Sequence, residues 1–305
     1  MDIMTWFNIT VVVFTVSGLM AGGLECDLKE ALKWLRSPKL LVPSMLWGWV
    51  VGPALAFLLI KILPLSEGHA AGLILTSLAP IAPFLPLAAM KSRGDMTFSG
   101  AYVLLGTVMT VVLMPIMAPL LIKGLTLSTW PLAKPLIILV LIPLLIGVAL
   151  RFYKPAVAAK IFPWVKKTSG IWLLLCLGTT LWIYGKQMLS TVGSFAPGAW
   201  VIFMVVMAVL PYWIGFGLKQ NQRSVMALGQ SSRNISAGFV AFFGITNPPE
   251  GMFLMVLLVV PLHVIIGLLS VPPIFAKLAG RQLQKVWQKA RHEPRNHCSR
   301  TVSPP

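Results

Sequence analysis

Nine apolar stretches follow one another along this chain with only short polar connections between them. They cover residues 6–24, 40–63, 70–90, 97–122, 136–148, 168–184, 200–218, 224–244 and 252–276. A helix needs about 20 predominantly apolar residues to cross a bilayer, and the fifth stretch reaches that length if residues 132–152 are included. With 57% of its 305 residues hydrophobic and 11% charged, the chain has far too little polar surface to wrap these segments into a soluble core. The expectation is an all-α membrane protein of nine transmembrane helices. It forms one membrane domain over 1–276, followed by a basic cytoplasmic tail over 277–305.

The net charge of +17 raises the question of a nucleic-acid partner, and the placement of the charge answers against it. If the N-terminus is outside, Lys29, Lys33, Arg36, Lys39, Lys91, Arg93, Arg151, Lys154, Lys160, Lys166, Lys167, Lys219, Arg223 and the tail fall on the cytoplasmic side. That is 20 of the 25 basic residues. Lys61, Lys123, Lys134 and Lys186 fall opposite. This is the asymmetry that orients membrane proteins, and it predicts a multi-pass protein of the plasma membrane (a bacterial inner membrane), N-out and C-in. The first stretch lacks a basic n-region and precedes Lys29, Lys33 and Arg36, so it is expected to be a retained helix. Cys26, Cys176 and Cys298 have neither metal-ligand nor disulfide spacing, and no metal site or cofactor is expected. The tail, with Trp287 among its charges, is expected to lie on anionic lipid.

Two stretches are interrupted. The third carries Pro80, Pro83 and Pro86, each removing a backbone donor and clashing with the preceding turn. The eighth carries the polar island Gly229-Gln-Ser-Ser-Arg-Asn-Ile-Ser236. Irregular backbone at membrane depth is tolerated only inside protein or beside a cavity, and a pair of broken helices in the two halves of a chain points to a transporter's binding site. On an ideal helix, Gln230, Arg233, Asn234 and Ala237 share one face, flanked by Ser232 and Ser236. Arg233 is the one cation near the middle of an apolar stretch, Lys61, Lys134 and Arg151 lying at the ends of theirs. None of the eight acids, Asp2, Glu25, Asp27, Glu30, Glu67, Asp95, Glu250 and Glu293, lies at that depth. Such a charge costs roughly 2.5 to 3.5 kcal/mol on insertion scales, so its partner is backbone, water or a visiting ligand. Met109, Met114 and Met117 read as core or lipid contacts, and Trp47, Trp49 and Trp130 as interface anchors.

These residues resemble the bile acid:sodium symporter family. The likeness runs from Met20-Ala-Gly-Gly-Leu24 through Gly72-Leu-Ile-Leu75, Pro80, Arg93-Gly-Asp95 and Pro115. It continues with Arg233-Asn234, Ser236-Ala237, Leu262-His263 and Gly267. It implies inverted repeats forming a panel (helices near 6–24, 132–152 and 168–184) and a core (40–122 and 200–276) in which two broken helices cross. It also implies uptake of organic anions with sodium.

Departures from the family pattern fall on the ion ligands. A Ser-Asn pair is replaced by Leu85-Pro86, an acid by Gly229, a Gln by Arg233, a second Gln by Gly48 and a Thr by Val103, whereas Ser99 and Asn234 remain. Sodium needs oxygen ligands, and most of those side chains are gone. A guanidinium, always charged and forked for an anion, can stand where a bound cation would. The expected function is a secondary transporter of small organic anions, not sodium-coupled in the usual way. The expected substrate site is Arg233, Asn234, Gln230, Ser232, Ser99 and the backbone at Pro80, Pro83 and Pro86. A sodium symporter with relocated ion sites and a membrane-embedded ligand sensor are the rivals. An enzyme is disfavoured because no set of acid, histidine or nucleophile lies at membrane depth. A second role is open to Arg233, tying up carbonyls that the prolines free.

Overall fold

A computed structural model describes residues 2–122 and 129–269, with 262–269 described by their backbone. The expectations for the tail, for Cys298, for Lys123 and for the side chain of His263 lie outside that description. In chain order the helices are α1 (Ile3–Glu25), α2 (Leu28–Leu35), α3 (Pro38–Ile62), α4 (Glu67–Ser77), α5 (Leu85–Lys91) and α6 (Met96–Leu121). They continue with α7 (Thr129–Tyr153), α8 (Pro155–Ser190), α9 (Ala196–Trp213), α10 (Gln220–Ser231), α11 (Ile235–Phe243) and α12 (Met252–Leu269). Among the described residues α1, α3, α6, α7, α8 and α9 are long and apolar enough to cross a membrane. The chain is therefore a multi-pass, all-helical membrane protein. The third and eighth apolar stretches are each two short helices, α4 with α5 and α10 with α11.

Local chemistry sets the helix ends. Asp27 caps α2 by accepting from the amides of Lys29 (3.0 Å) and Glu30 (3.2 Å). Ser66 caps α4, and Asp95 caps α6 through the Phe98 amide at 3.0 Å. Asp95 also accepts from the Gln222 amide group at 3.2 Å, which fixes the start of α10 to the start of α6. Helices α3 and α7 each contain a wide π-turn stretch, Leu46–Val51 and Ile137–Leu141. Each lies just before a proline, Pro53 or Pro143, whose ring would strike the carbonyl four residues back in a regular helix.

Close packing between the long helices is made by glycine. A Cβ on Gly23 would lie 2.2 Å from the Leu144 carbonyl oxygen, and one on Gly147 would lie 2.4 Å from that of Met20. Thus α1 and α7 touch backbone to backbone, as small residues permit in membranes. Helix α8 also packs along α1 and is tied to it by a 2.7 Å ion pair between Lys166 and Glu25. With 36 residues, α8 is about 54 Å long, well beyond a hydrocarbon core of about 30 Å; its basic first turns therefore project past the apolar layer. Leu174, Trp182 and Leu189 are exposed on it, as suits contact with lipid. Helix α4 packs on α12 through Gly68 and Gly72, and α9 runs along α10.

Two expectations need correction. Trp47 and Trp49 are buried, not interface anchors, because the π-turn stretch of α3 faces inward: the Trp47 ring meets that of Phe216 with centroids 6.2 Å apart, and Gly48, between the two tryptophans, lies beside Pro80 and Gln230. Trp130 is exposed. The single helical face drawn through Gln230, Arg233, Asn234 and Ala237 does not exist either, since the helix stops at Ser231 and restarts at Ile235.

Candidate functional site

The two interrupted stretches break at the same place in space. Helix α4 stops at Ser77 and the chain runs extended past Pro80. Ile81 then adopts φ of 69°, a strained conformation for a β-branched residue, and α5 begins with Pro86 in its first turn. On the other strand α10 stops at Ser231, Ser232 is extended, and Asn234 caps α11 by accepting from the Ala237 amide at 3.0 Å. Pro80 and Arg233 face each other as an antiparallel bridge. The Asn234 amide donates to the Ala79 carbonyl at 2.8 Å. The Ile81 amide lies 3.1 Å from both the Gly229 and the Ser232 carbonyls, and the Ala82 amide reaches the Ser232 hydroxyl at 3.4 Å. Each break supplies the backbone partners that the other has lost, which is how irregular backbone survives away from water.

Arg233 points into this knot. It is 1% exposed. One terminal nitrogen donates to the Ser77 carbonyl at 3.1 Å and the other to the Gln230 carbonyl at 2.9 Å. The guanidinium carbon lies 4.6 Å from the centre of the Phe203 ring. Ser77 is the last residue of α4 and Gln230 lies in the last turn of α10, so the cation joins the negative ends of two helix dipoles over an aromatic face.

Gln230 is fully buried and donates from its side-chain nitrogen to the Tyr102 hydroxyl at 2.6 Å. Its side-chain oxygen and the Asn234 side-chain nitrogen have no hydrogen-bond partner among the described residues. Three glycines let neighbouring elements close around the crossing. A Cβ on Gly229 would sit 2.5 Å from the Tyr102 ring, one on Gly106 would sit 2.4 Å from the tip of Ile81, and one on Gly48 would sit 3.1 Å from the Pro80 ring.

Residues 11–191 match the family model described as "Sodium Bile acid symporter family", more than half of the chain. The chain belongs to that family. The matched stretch contains the first broken pair and ends before the second, where Arg233 lies. Two relatives are both named "Probable sodium/metabolite cotransporter BASS3, chloroplastic". The one from Oryza sativa subsp. japonica is 24% identical over 212 residues, 69% of this chain and 50% of the relative. The one from Arabidopsis thaliana is 24% identical over 222 residues, 72% of this chain and 52% of the relative. The chain thus spans about half the length of the curated relatives it matches.

In this member of the sodium bile acid symporter family the crossing brings together Pro80, Gln230, Ser232, Arg233 and Asn234. Pro83 is half-buried, its carbonyl facing Gly22 of α1, and Pro86 is buried at the start of α5. Ser99 is buried on α6, one turn before Tyr102, and its hydroxyl has no hydrogen-bond partner among the described residues, none of which ties it to the crossing directly. At two of the positions expected to depart from the family pattern, Gly229 and Gly48, a side chain would be crowded. The Tyr102 ring fills the space beside Gly229, and the Pro80 ring stands close beside Gly48. Sequence reasoning missed Tyr102, Phe203 and the Ser77 carbonyl. Tyr102 carries a faint signal, lying three residues after Ser99 on a helix that bears few other polar side chains; Phe203 carries none.

Proposed function

We propose that this chain is a secondary transporter that carries small organic anions across the membrane by alternating access and that does not depend on sodium in the usual way. Membership of a symporter family supports the transport class. In this reading the six long helices, the two broken pairs and α12 make nine spans in two inverted repeats. Helices α1, α7 and α8, which pack on one another, form the panel, and the others form the core that moves against it. The N-terminus faces outward and the C-terminus the cytoplasm, in a plasma membrane of the bacterial inner-membrane kind.

The substrate meets the crossing at its boundary with the panel, where Asn234, Gln230, Ser232, Ser99 and the backbone at Pro80, Pro83 and Pro86 offer polar contacts. Arg233 balances its negative charge across a medium of low dielectric, where Coulomb attraction is far stronger than in water. No cofactor is required.

The observation that carries this reading is the Arg233 guanidinium, held at 3.1 and 2.9 Å by the carbonyl ends of both half-helices. A positive charge is built into the crossing, and the side-chain oxygens that would recruit a sodium ion are replaced by Gly48, Leu85, Pro86, Val103 and Gly229. The alternative, a sodium symporter with relocated ion sites, is favoured by the names of the two relatives. Proteoliposome uptake of mono- and dicarboxylates, sterol acids and sulfonates separates them. Replacing sodium by choline at constant ionic strength is expected to leave affinity within about twofold. A tenfold loss corresponds to about 1.4 kcal/mol of coupling and would establish the symporter reading instead.

A further inference from the structure

We propose that the crossing is a monovalent-cation site that the chain fills with its own side chain, Arg233 acting as a tethered cation that clamps the two half-helices together. The proposal deepens the transport reading of the same crossing and rests on it for its place in function, but its test needs no substrate.

The geometry is that of a cation site. Helix C-termini carry partial negative charge on carbonyls that have no amide partner. Unwound backbone and half-helix ends of this kind coordinate monovalent ions in transporters. Here two such ends, at Ser77 and Gln230, each accept from a different terminal nitrogen of one guanidinium. The side-chain oxygen of Gln230, fully buried, adds a further acceptor on the same residue with no partner of its own among the described residues. Phe203 presents its ring face at 4.6 Å, a contact that suits a planar, weakly hydrated cation better than a strongly hydrated one. Helix α3 closes the site: a Cβ on Gly52 would lie 3.7 Å from an Arg233 terminal nitrogen.

Were the charge absent, the two carbonyl ends would face each other uncompensated at membrane depth. The main chain holds the same crossing through the bonds at Ala79, Ile81 and Asn234, so the guanidinium is the electrostatic part of a joint whose frame is backbone.

Removing the side chain should therefore turn a cation-indifferent protein into a cation-responsive one. Arg233→Ala opens a hollow lined by the Ser77 and Gln230 carbonyls and the Phe203 ring. The half-time of thermal inactivation in detergent is measured for this variant and for the unaltered protein in millimolar guanidinium, sodium or choline chloride at equal ionic strength. Guanidinium is expected to lengthen the half-time of the variant by about threefold or more relative to choline, with sodium weaker and the unaltered protein unmoved. Equal responses of the variant to all three ions would overturn the proposal, as would a variant as durable as the unaltered protein in choline.

If Arg233→Ala does not accumulate, Arg233→Lys and Arg233→Met decide. Both fill space, but only one keeps the charge. A tethered cation requires the Lys form to outlast the Met form by at least about threefold, whereas equal half-times would mean that Arg233 only fills volume. Sodium-dependent flux in the unaltered protein would defeat the proposed coupling and leave these outcomes untouched.

Discussion

Gly229→Ala is the substitution that most directly tests whether any side chain can occupy this position. A Cβ there falls 2.5 Å from one carbon of the Tyr102 ring, 3.1 Å from the next and 3.2 Å from the end of Leu85. Carbon atoms rest at about 3.5 to 4.0 Å, so the closest pair overlaps by about 1 Å. The ring cannot swing aside cheaply. Tyr102 is fully buried, its hydroxyl is held by Gln230 at 2.6 Å, and its ring lies tilted against Phe98 with centroids 5.8 Å apart. Moving the Gly229 backbone instead strains the 3.1 Å contact between its carbonyl and the Ile81 amide. Overpacking of this kind costs about 1 to 3 kcal/mol, and the upper half of that range is expected because both escape routes disturb the crossing. The assay is the apparent melting temperature of purified protein in detergent for Gly229→Ala, Tyr102→Leu and the double variant. Removing the ring should relieve the clash, so the double variant is expected to be more stable than the two single losses added together. A Gly229→Ala protein that melts with the unaltered one would refute the steric account.

Gly23→Ala and Gly147→Ala should each cost more than Gly229→Ala, because the new methyl meets carbonyl oxygens of the facing backbone at 2.2 and 2.4 Å and no side chain can yield. Neither should rescue the other, and the measure is folded yield by size-exclusion chromatography, with normal yield of either contradicting the α1–α7 contact. Cysteines placed at Ser66 and Ser299, after replacement of the native cysteines, should react with an impermeant thiol reagent in intact cells at Ser66 and not at Ser299. Equal labelling would refute the N-out arrangement. Burial, reinforced by the neighbouring Asp27 charge, pushes the Cys26 thiol up to about 11, and only the thiolate attacks. With Cys176 and Cys298 replaced by serine, alkylation of Cys26 should therefore be slow at pH 7 and still be rising above about pH 10; a rate that levels off by about pH 9.5 would show an ordinary exposed thiol, which titrates at about 8.5.

The apolar lengths and the asymmetry of basic residues made a multi-pass helical membrane protein legible from sequence alone, since both follow from transfer energies that act residue by residue. The two interruptions were equally legible: Pro80, Pro83 and Pro86 remove donors wherever they sit, and a lone Arg233 among apolar residues demands a partner in any fold. Sequence left that partner open among backbone, water and ligand. Only the tertiary structure decided that Ser77 and Gln230, distant from each other along the chain, bring their carbonyls to the same guanidinium and that Phe203 from a third helix lies beneath it. A helical-face drawing failed at Gln230 and Asn234 because it assumed regular φ and ψ through Ser232, whereas the bonds to Ala79 and Ile81 make the extended backbone favourable there. Gly48, Gly106 and Gly229 were visible as letters, but what each glycine makes room for is a property of the neighbouring element. Local rules fix where a helix must stop; which groups then meet is fixed by packing across the fold, where every freed carbonyl and amide has to find a partner out of reach of water.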